Sequence, residues 1–182
     1  MRKTIMTLLL CLCCMASMAA DLKMVSGSME CLRNEKYLTA EIDCSETVWG
    51  KDRPFDAYLA KTRRDRGWEE KSMKYFYEWF NDEVTTIEAS KETKDVNYKV
   101  VVKVKHVDNG GKIIADVLLV NISTGETVAT FYFKGSDVDS KDHITFRDPM
   151  KEVGECFGKA VYKFLVKGKV TMMKQSVMEE WK

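Results

Sequence analysis

The sequence lacks an excess of either charge. Its 182 residues carry 29 Lys and Arg against 28 Asp and Glu, a formal net charge of +1. No global field draws nucleic acid or an anionic membrane, so classes that bind through net charge are set aside. It also lacks an apolar run long enough to span a bilayer. Ile5 to Met15 is the longest, about half the ~20 residues a spanning helix needs. Histidine is scarce: His106 and His143 are the two present, and neither stands near a cysteine in sequence. There is no G-x-S-x-G elbow, phosphate loop, HExxH or dinucleotide fingerprint. Internal repeats and low-complexity segments are absent too. Acidic residues are so evenly spread that no pair stands out for acid–base work.

What is present begins with a targeting pattern. Arg2 and Lys3 precede the apolar run, and the small residues Ala16, Ser17, Ala19 and Ala20 follow it. This is the order of a secretory signal peptide. The expected boundaries are a signal over 1–20 and one domain over 21–182, with 169–182 as its tail. Removing twenty residues leaves 162, an ordinary size for a domain with a real core. The loss of Arg2 and Lys3 leaves 27 basic residues against 28 acidic, a net charge of −1.

Cysteine usage agrees with that division. Cys11, Cys13 and Cys14 lie inside the signal. The residues before them, Leu10, Leu12 and Cys13, are not the small residue that precedes a lipidated cysteine, so lipidation is not expected. Cys31, Cys44 and Cys156 remain. An odd number leaves at least one outside any disulfide in a monomer. Their surroundings read as apolar, which favours buried thiols over a disulfide or a catalytic nucleophile.

Hydrophobic periodicity sets the remaining elements. Segment 21–34 is ambiguous, and Tyr37 to Cys44 alternates as a strand. A short helix fits 55–64. Met73, Phe76, Tyr77, Phe80, Val84 and Ile87 place a helix over 69–87, with Tyr75 and Trp79 as a second aromatic row. That row reads as core more readily than as a stacking platform. Strands follow at 98–107, 113–122 and 128–134, joined by the turns Asp108-Asn109-Gly110-Gly111 and Ser123-Thr124-Gly125-Glu126. After a polar loop over 135–146, Asp148 is the expected N-cap of a last helix that ends at Gly168. Gly154 and Gly158 are expected to let that helix approach the sheet. The fold expected is α+β: a two-layer sandwich in which an antiparallel meander and an N-terminal strand carry both main helices on one face.

Two weak candidate sites stand out. Asp137, Asp139, Asp142 and His143 fall in one loop, as oxygen ligands for Ca²⁺ would. However, Lys141 occupies a ligand position, and the glycine and distant glutamate of a calcium loop are missing. Zinc through His143 would need more nitrogen or sulfur ligands. Lys61, Arg63, Arg64 and Arg66 form a basic cluster suited to a phosphate or an acidic partner. Asp65, Glu69 and Glu70 dilute it, so a solvated turn is the plainer reading. Asn121-Ile122-Ser123 is a glycosylation sequon, relevant only in a eukaryotic secretory pathway.

From Tyr98 to Leu165, the stretch YKVVVKVKHVDNGGKIIADVLLVNISTGETVATFYFKG and the helix after it resemble a small α/β domain of bacterial envelope proteins. Examples are the TolB amino-terminal domain and the core of the curli secretion channel. LTAEIDCSETVWG resembles the start of short exported proteins of gut Bacteroidetes. The resemblance implies an envelope setting and carries over no catalytic residue. The lipid-attachment cysteine and membrane hairpins of the channel family are absent, so it does not imply a pore.

The expected function is therefore a non-enzymatic periplasmic or extracellular binding or assembly module. Its partner would be an envelope protein, with no cofactor, no nucleic acid and no membrane span in the mature chain. A hydrolase using carboxylates and a metal-binding protein using the 137–143 loop are the alternatives. The sequence leaves the oligomeric state open.

Overall fold

The computed structural model describes residues 20–61, 67–92, 95–136 and 146–174. It has an α+β fold built on one open, mixed sheet. The strands are β1 (Asp21–Gly27), β2 (Tyr37–Asp43), β3 (Val48–Trp49), β4 (Arg53–Pro54), β5 (Glu88–Ala89), β6 (Tyr98–Val107), β7 (Ile113–Asn121) and β8 (Thr127–Lys134). The helices are α1 (Phe55–Lys61), α2 (Trp68–Glu83) and α3 (Arg147–Lys167). Strand order is β1-β8-β7-β6-β2-β5, and β3 continues beside β6 past the end of β2.

The meander forms where alternation and turn chemistry agree. Val100, Val102 and Val104 of β6 face Leu119, Val117 and Ala115 of β7, all buried. The carboxylate of Asp108 accepts from the amides of Gly110 and Lys112 and closes the first turn. The side-chain carbonyl of Asn121 does the same for Ser123 and Thr124 in the second. These side chains satisfy amides that a tight turn would otherwise leave open.

Both main helices lie on one face of the sheet. Phe76 and Phe80 of α2 and Phe157 of α3 form the centre of the core. Phe157 stacks on Phe80 at 5.9 Å and meets Phe131 of β8 edge-on at 5.4 Å. The paired glycines act differently from expectation. A Cβ at Gly154 would lie 2.4 Å from the Phe76 carbonyl oxygen, so the close approach is between α3 and α2, not between α3 and the sheet.

Several boundaries differ from the sequence reading, each for a local reason. Segment 21–34 contains β1, an edge strand against β8, and a 3-10 turn over Glu30–Asn34. Helix α2 stops at Glu83, because Val84 is already extended and Thr85 and Thr86 are poor helix formers. Val84 and Ile87 are still buried, but from beyond the helix. Asp148 lies inside the first turn of α3, and the N-cap is Phe146, with φ +56°. Phe146 is held there by burial in an aromatic cluster with Phe55, Tyr58 and Trp68. Tyr75 and Trp79 are not core. Arg147 lies 4.4 Å from the Tyr75 ring centre and Lys151 lies 3.8 Å from that of Trp79, so the row ties α2 to α3 by cation–π contact.

The outer face of the sheet carries no helix among the described residues. Sequence alone suggests that its apolar side chains need a cover from segment 22–32, the tail or a second subunit. Residues 21–27 instead join the sheet as β1, and Thr171–Met173 pairs along the outer edge of β1. Lysines do part of the covering. Lys99 pairs with Glu41 (2.6 Å), Lys103 with Glu46 (2.8 Å) and Lys105 with Asp116 (2.6 Å). Val101, Ile114 and Leu118 on that face are half-buried, and lysine stems are apolar enough to cover such surface while their ammonium groups stay in water.

Candidate functional site

Where β2 runs on beyond its short neighbour β5, its residues line a groove. Alternation sends Leu38, Ala40 and Ile42 toward the helices and Glu41 toward the outer face. The backbone alternates as well. Inner groups of β2 pair with β6, and outer groups face away from it. At Leu38 the outer side is satisfied by β5 and by Ser90, whose amide donates to the Leu38 carbonyl at 2.9 Å. β5 covers only Tyr37 and Leu38, so beyond them the edge faces α2.

Helix α2 meets that edge with a polar ladder. Asn81 accepts from the Ala89 amide at 2.7 Å and donates to its carbonyl at 2.9 Å. One helical turn earlier, the Tyr77 hydroxyl accepts from the Ala40 amide at 3.1 Å and donates to the Ala40 carbonyl at 2.7 Å. A turn of helix and two strand residues are similar in length, so the pattern keeps step. One further turn brings Met73, which offers no comparable group. Ile42 stands at the matching strand position. Because the Ala40 amide and carbonyl both point outward, those of Ile42 point outward too. They have no hydrogen-bond partner among the described residues.

The groove here encloses about 670 Å³. Its floor is Ala40, Ile42, Met73 and Tyr77, and its rim carries Glu69, Glu70, Lys74, Lys91 and Glu92. Glu70 and Lys91 pair across one side at 2.9 Å. That hydrogen bond and charge hold the Glu70 carboxyl below its usual range and the Lys91 ammonium above its own. Both groups are exposed, so the pair adds little to stability.

The ladder gives an ordered prediction. Asn81→Ala strips both partners from buried Ala89 and should cost about 1–2 kcal/mol, whereas Tyr77→Phe at the half-buried Ala40 should cost about 1 kcal/mol. Denaturant unfolding of both variants checks the order. Equal stability to the parent would mean that water replaces the ladder without loss.

The sequence candidates are not brought into this groove. Asp137, Asp139, Asp142 and His143 lie outside the described residues, as do Arg63, Arg64 and Arg66. Lys61 is described. It ends α1 with its ammonium 5.0 Å from the Trp49 ring centre, and Arg53 lies 3.3 Å from the same ring. Among the described residues no group of three or more His, Cys, Asp or Glu is placed to hold a metal ion.

Cys31, Cys44 and Cys156 are half-buried and form no disulfide. Burial pushes the Cys31 thiol up and that of Cys156 to about 11, which keeps both protonated near neutral pH. Glu30, Asp43 and Glu70 are shifted downward by local hydrogen bonds, whereas a general acid at neutral pH needs the opposite shift. Tyr77 and Asn81 were legible as neighbours on one helix face. Their polar tips were the available signal, but a tyrosine within an aromatic stripe reads first as core.

No described helix is long and apolar enough to cross a membrane. No family model matches the chain, and no curated protein matches it. Solved structures with some likeness include PelC dodecamers from Paraburkholderia phytofirmans, 9% identical in two crystal forms. Their TM-scores are 0.41 and 0.39, over 75% and 74% of this chain and 97% of PelC. Protein XCC0632 from Xanthomonas campestris, of family DUF330, is 14% identical with a TM-score of 0.36, over 79% of this chain and 92% of that one. Superposition this loose transfers no residue role, assembly or activity to the chain.

Proposed function

We propose that the chain is an exported, non-enzymatic module of the bacterial envelope, periplasmic or extracellular, that binds a protein partner in the groove between β2 and α2. The observation that carries this reading is the groove itself, where an apolar floor meets the backbone of Ile42, unpaired among the described residues. Export rests on the order of basic, apolar and small residues at the start of the sequence. The envelope setting rests on the resemblance of 98–165 to envelope domains.

A photo-cross-linking residue placed at Lys74, on the groove rim, tests the reading in the host cell. It should capture a discrete envelope protein, whereas the same probe at Tyr162, exposed on α3, should not. Cross-linking at Tyr162 alone would move the binding surface elsewhere, and capture at neither would remove the envelope partner.

Export has its own test. Strand β1 begins at Asp21, so cleavage after Ala19 or Ala20 leaves the sheet whole. Intact-mass measurement of the protein exported by its host should give a chain starting at Ala20 or Asp21. A diacylglyceryl adduct or a retained Met1 would contradict it.

A further inference from the structure

We infer that the partner enters this groove as an extended segment and adds to β2 as a strand, hydrogen-bonded to the amide and carbonyl of Ile42. The inference rests on the binding reading above and names the form the partner takes. Three observations on the chain carry it.

The first is the backbone. Alternation along β2 directs the Ile42 amide and carbonyl away from β6, into the groove. Edge groups of this kind are satisfied by another strand, and main-chain pairing supplies affinity wherever a peptide extends a sheet. The second is where the polar ladder of α2 stops. Asn81 and Tyr77 each stand in for a missing strand, but Met73 does not. Met73 instead gives an apolar floor to a segment lying across it.

The third is the opposite edge of the same sheet. There the chain adds an extended segment of its own: Met24 donates to Thr171 at 3.0 Å and accepts from Met173 at 2.8 Å. Val170 and Thr171 line a cavity there together with Met24 of β1 and Cys156, Lys159 and Ala160 of α3. A strand edge facing a helix thus already holds an extended segment at one end of this sheet. The β2–α2 groove repeats that arrangement at the other end, in line with β5. The partner segment should place an apolar side chain over Ile42 and Met73. The rim carries charges of both signs, so net charge contributes little to selection.

The probe is a phage-displayed library of random dodecapeptides, selected on the intact exported protein. The tightest peptide is then N-methylated one residue at a time. Strand addition at Ile42 predicts one sensitive position: methylation of the amide that donates to the Ile42 carbonyl should weaken binding about tenfold or more, and the other amides should respond little, because Leu38 and Ala40 already have partners. Ile42→Pro should weaken the parent peptide similarly. It removes an amide that β6 does not use, and proline is tolerated on an outer edge.

Uniform tolerance of N-methylation, or full binding by a folded Ile42→Pro variant, would overturn the inference. So would failure to enrich any peptide. Sedimentation showing a dimer that Ile42→Pro dissolves would overturn it as well, by making a second copy the occupant. Cross-linking at Lys74 together with a peptide scan that shows no sensitive amide would refute strand addition and leave the binding reading standing. A single sensitive amide without cross-linking would support strand addition and refute the envelope partner.

Discussion

Phe157→Asp should leave the chain unfolded at room temperature. The residue is fully buried, stacked on Phe80 and edge-on to Phe131, where α2, α3 and the sheet meet. Removing the ring from such a site costs about 3–5 kcal/mol. A carboxylate there has no partner and costs several kcal/mol more, or takes up a proton and still carries an unmet polar group. The combined loss approaches the roughly 5–15 kcal/mol that holds a typical domain together. Circular dichroism should show no cooperative thermal transition. An unchanged melting temperature would mean that α3 does not pack through this face.

Gly154→Ala should cost about 2–3 kcal/mol even though alanine favours helix by about 1 kcal/mol over glycine. The added methyl would lie 2.4 Å from the Phe76 carbonyl oxygen and 3.0 Å from its Cα. Those are backbone atoms, so no rotamer change relieves the clash, and α2 and α3 must move apart. Gly158→Ala provides the contrast. Its methyl would lie 2.8 Å from Cβ of Glu83, a side-chain atom of a half-buried residue at the end of α2, and 3.2 Å from the Phe80 oxygen. The loss there should be smaller, about 1 kcal/mol or less, because helix propensity offsets more of it. Thermal melts should separate the two by several degrees, on the order of 2–4 °C per kcal/mol. Equal midpoints would show that the helices do not meet at Gly154.

The meander was legible in the sequence because each of its signals is local. Val100, Val102 and Val104 alternate within one strand, and Asp108 and Asn121 close turns a few residues away. The stop of α3 at Gly168 is local too: its positive φ of +61° is glycine's territory. The missed elements depend on distant partners. β3 and β4 are two residues each: Val48 and Trp49 find His106 and Val107, and Pro54 and Arg53 of β4 pair back on them. The parallel pairing of β2 with β6 joins residues about sixty apart in sequence, which no periodicity can announce.

The groove was hidden for a related reason. Alternation of Leu38, Ala40 and Ile42 shows which side chains face the core. It does not show whether the backbone of Ile42 meets a strand, a helix or water. That depends on β5 ending at Ala89 and on α2 placing Asn81, Tyr77 and Met73 at successive turns along the edge. Tyr77 read as core because its ring is half-buried in the aromatic stripe, and its role is set by the hydroxyl at the tip.

Amide hydrogen exchange tests most directly whether the backbone of Ile42, unpaired among the described residues, is open. In the free protein the Ile42 amide should exchange much faster than that of Glu41, which points at β6, and it should gain protection when a groove-binding peptide is added. An Ile42 amide protected as strongly as that of Glu41 in the free protein would contradict the account, because the edge would already be paired.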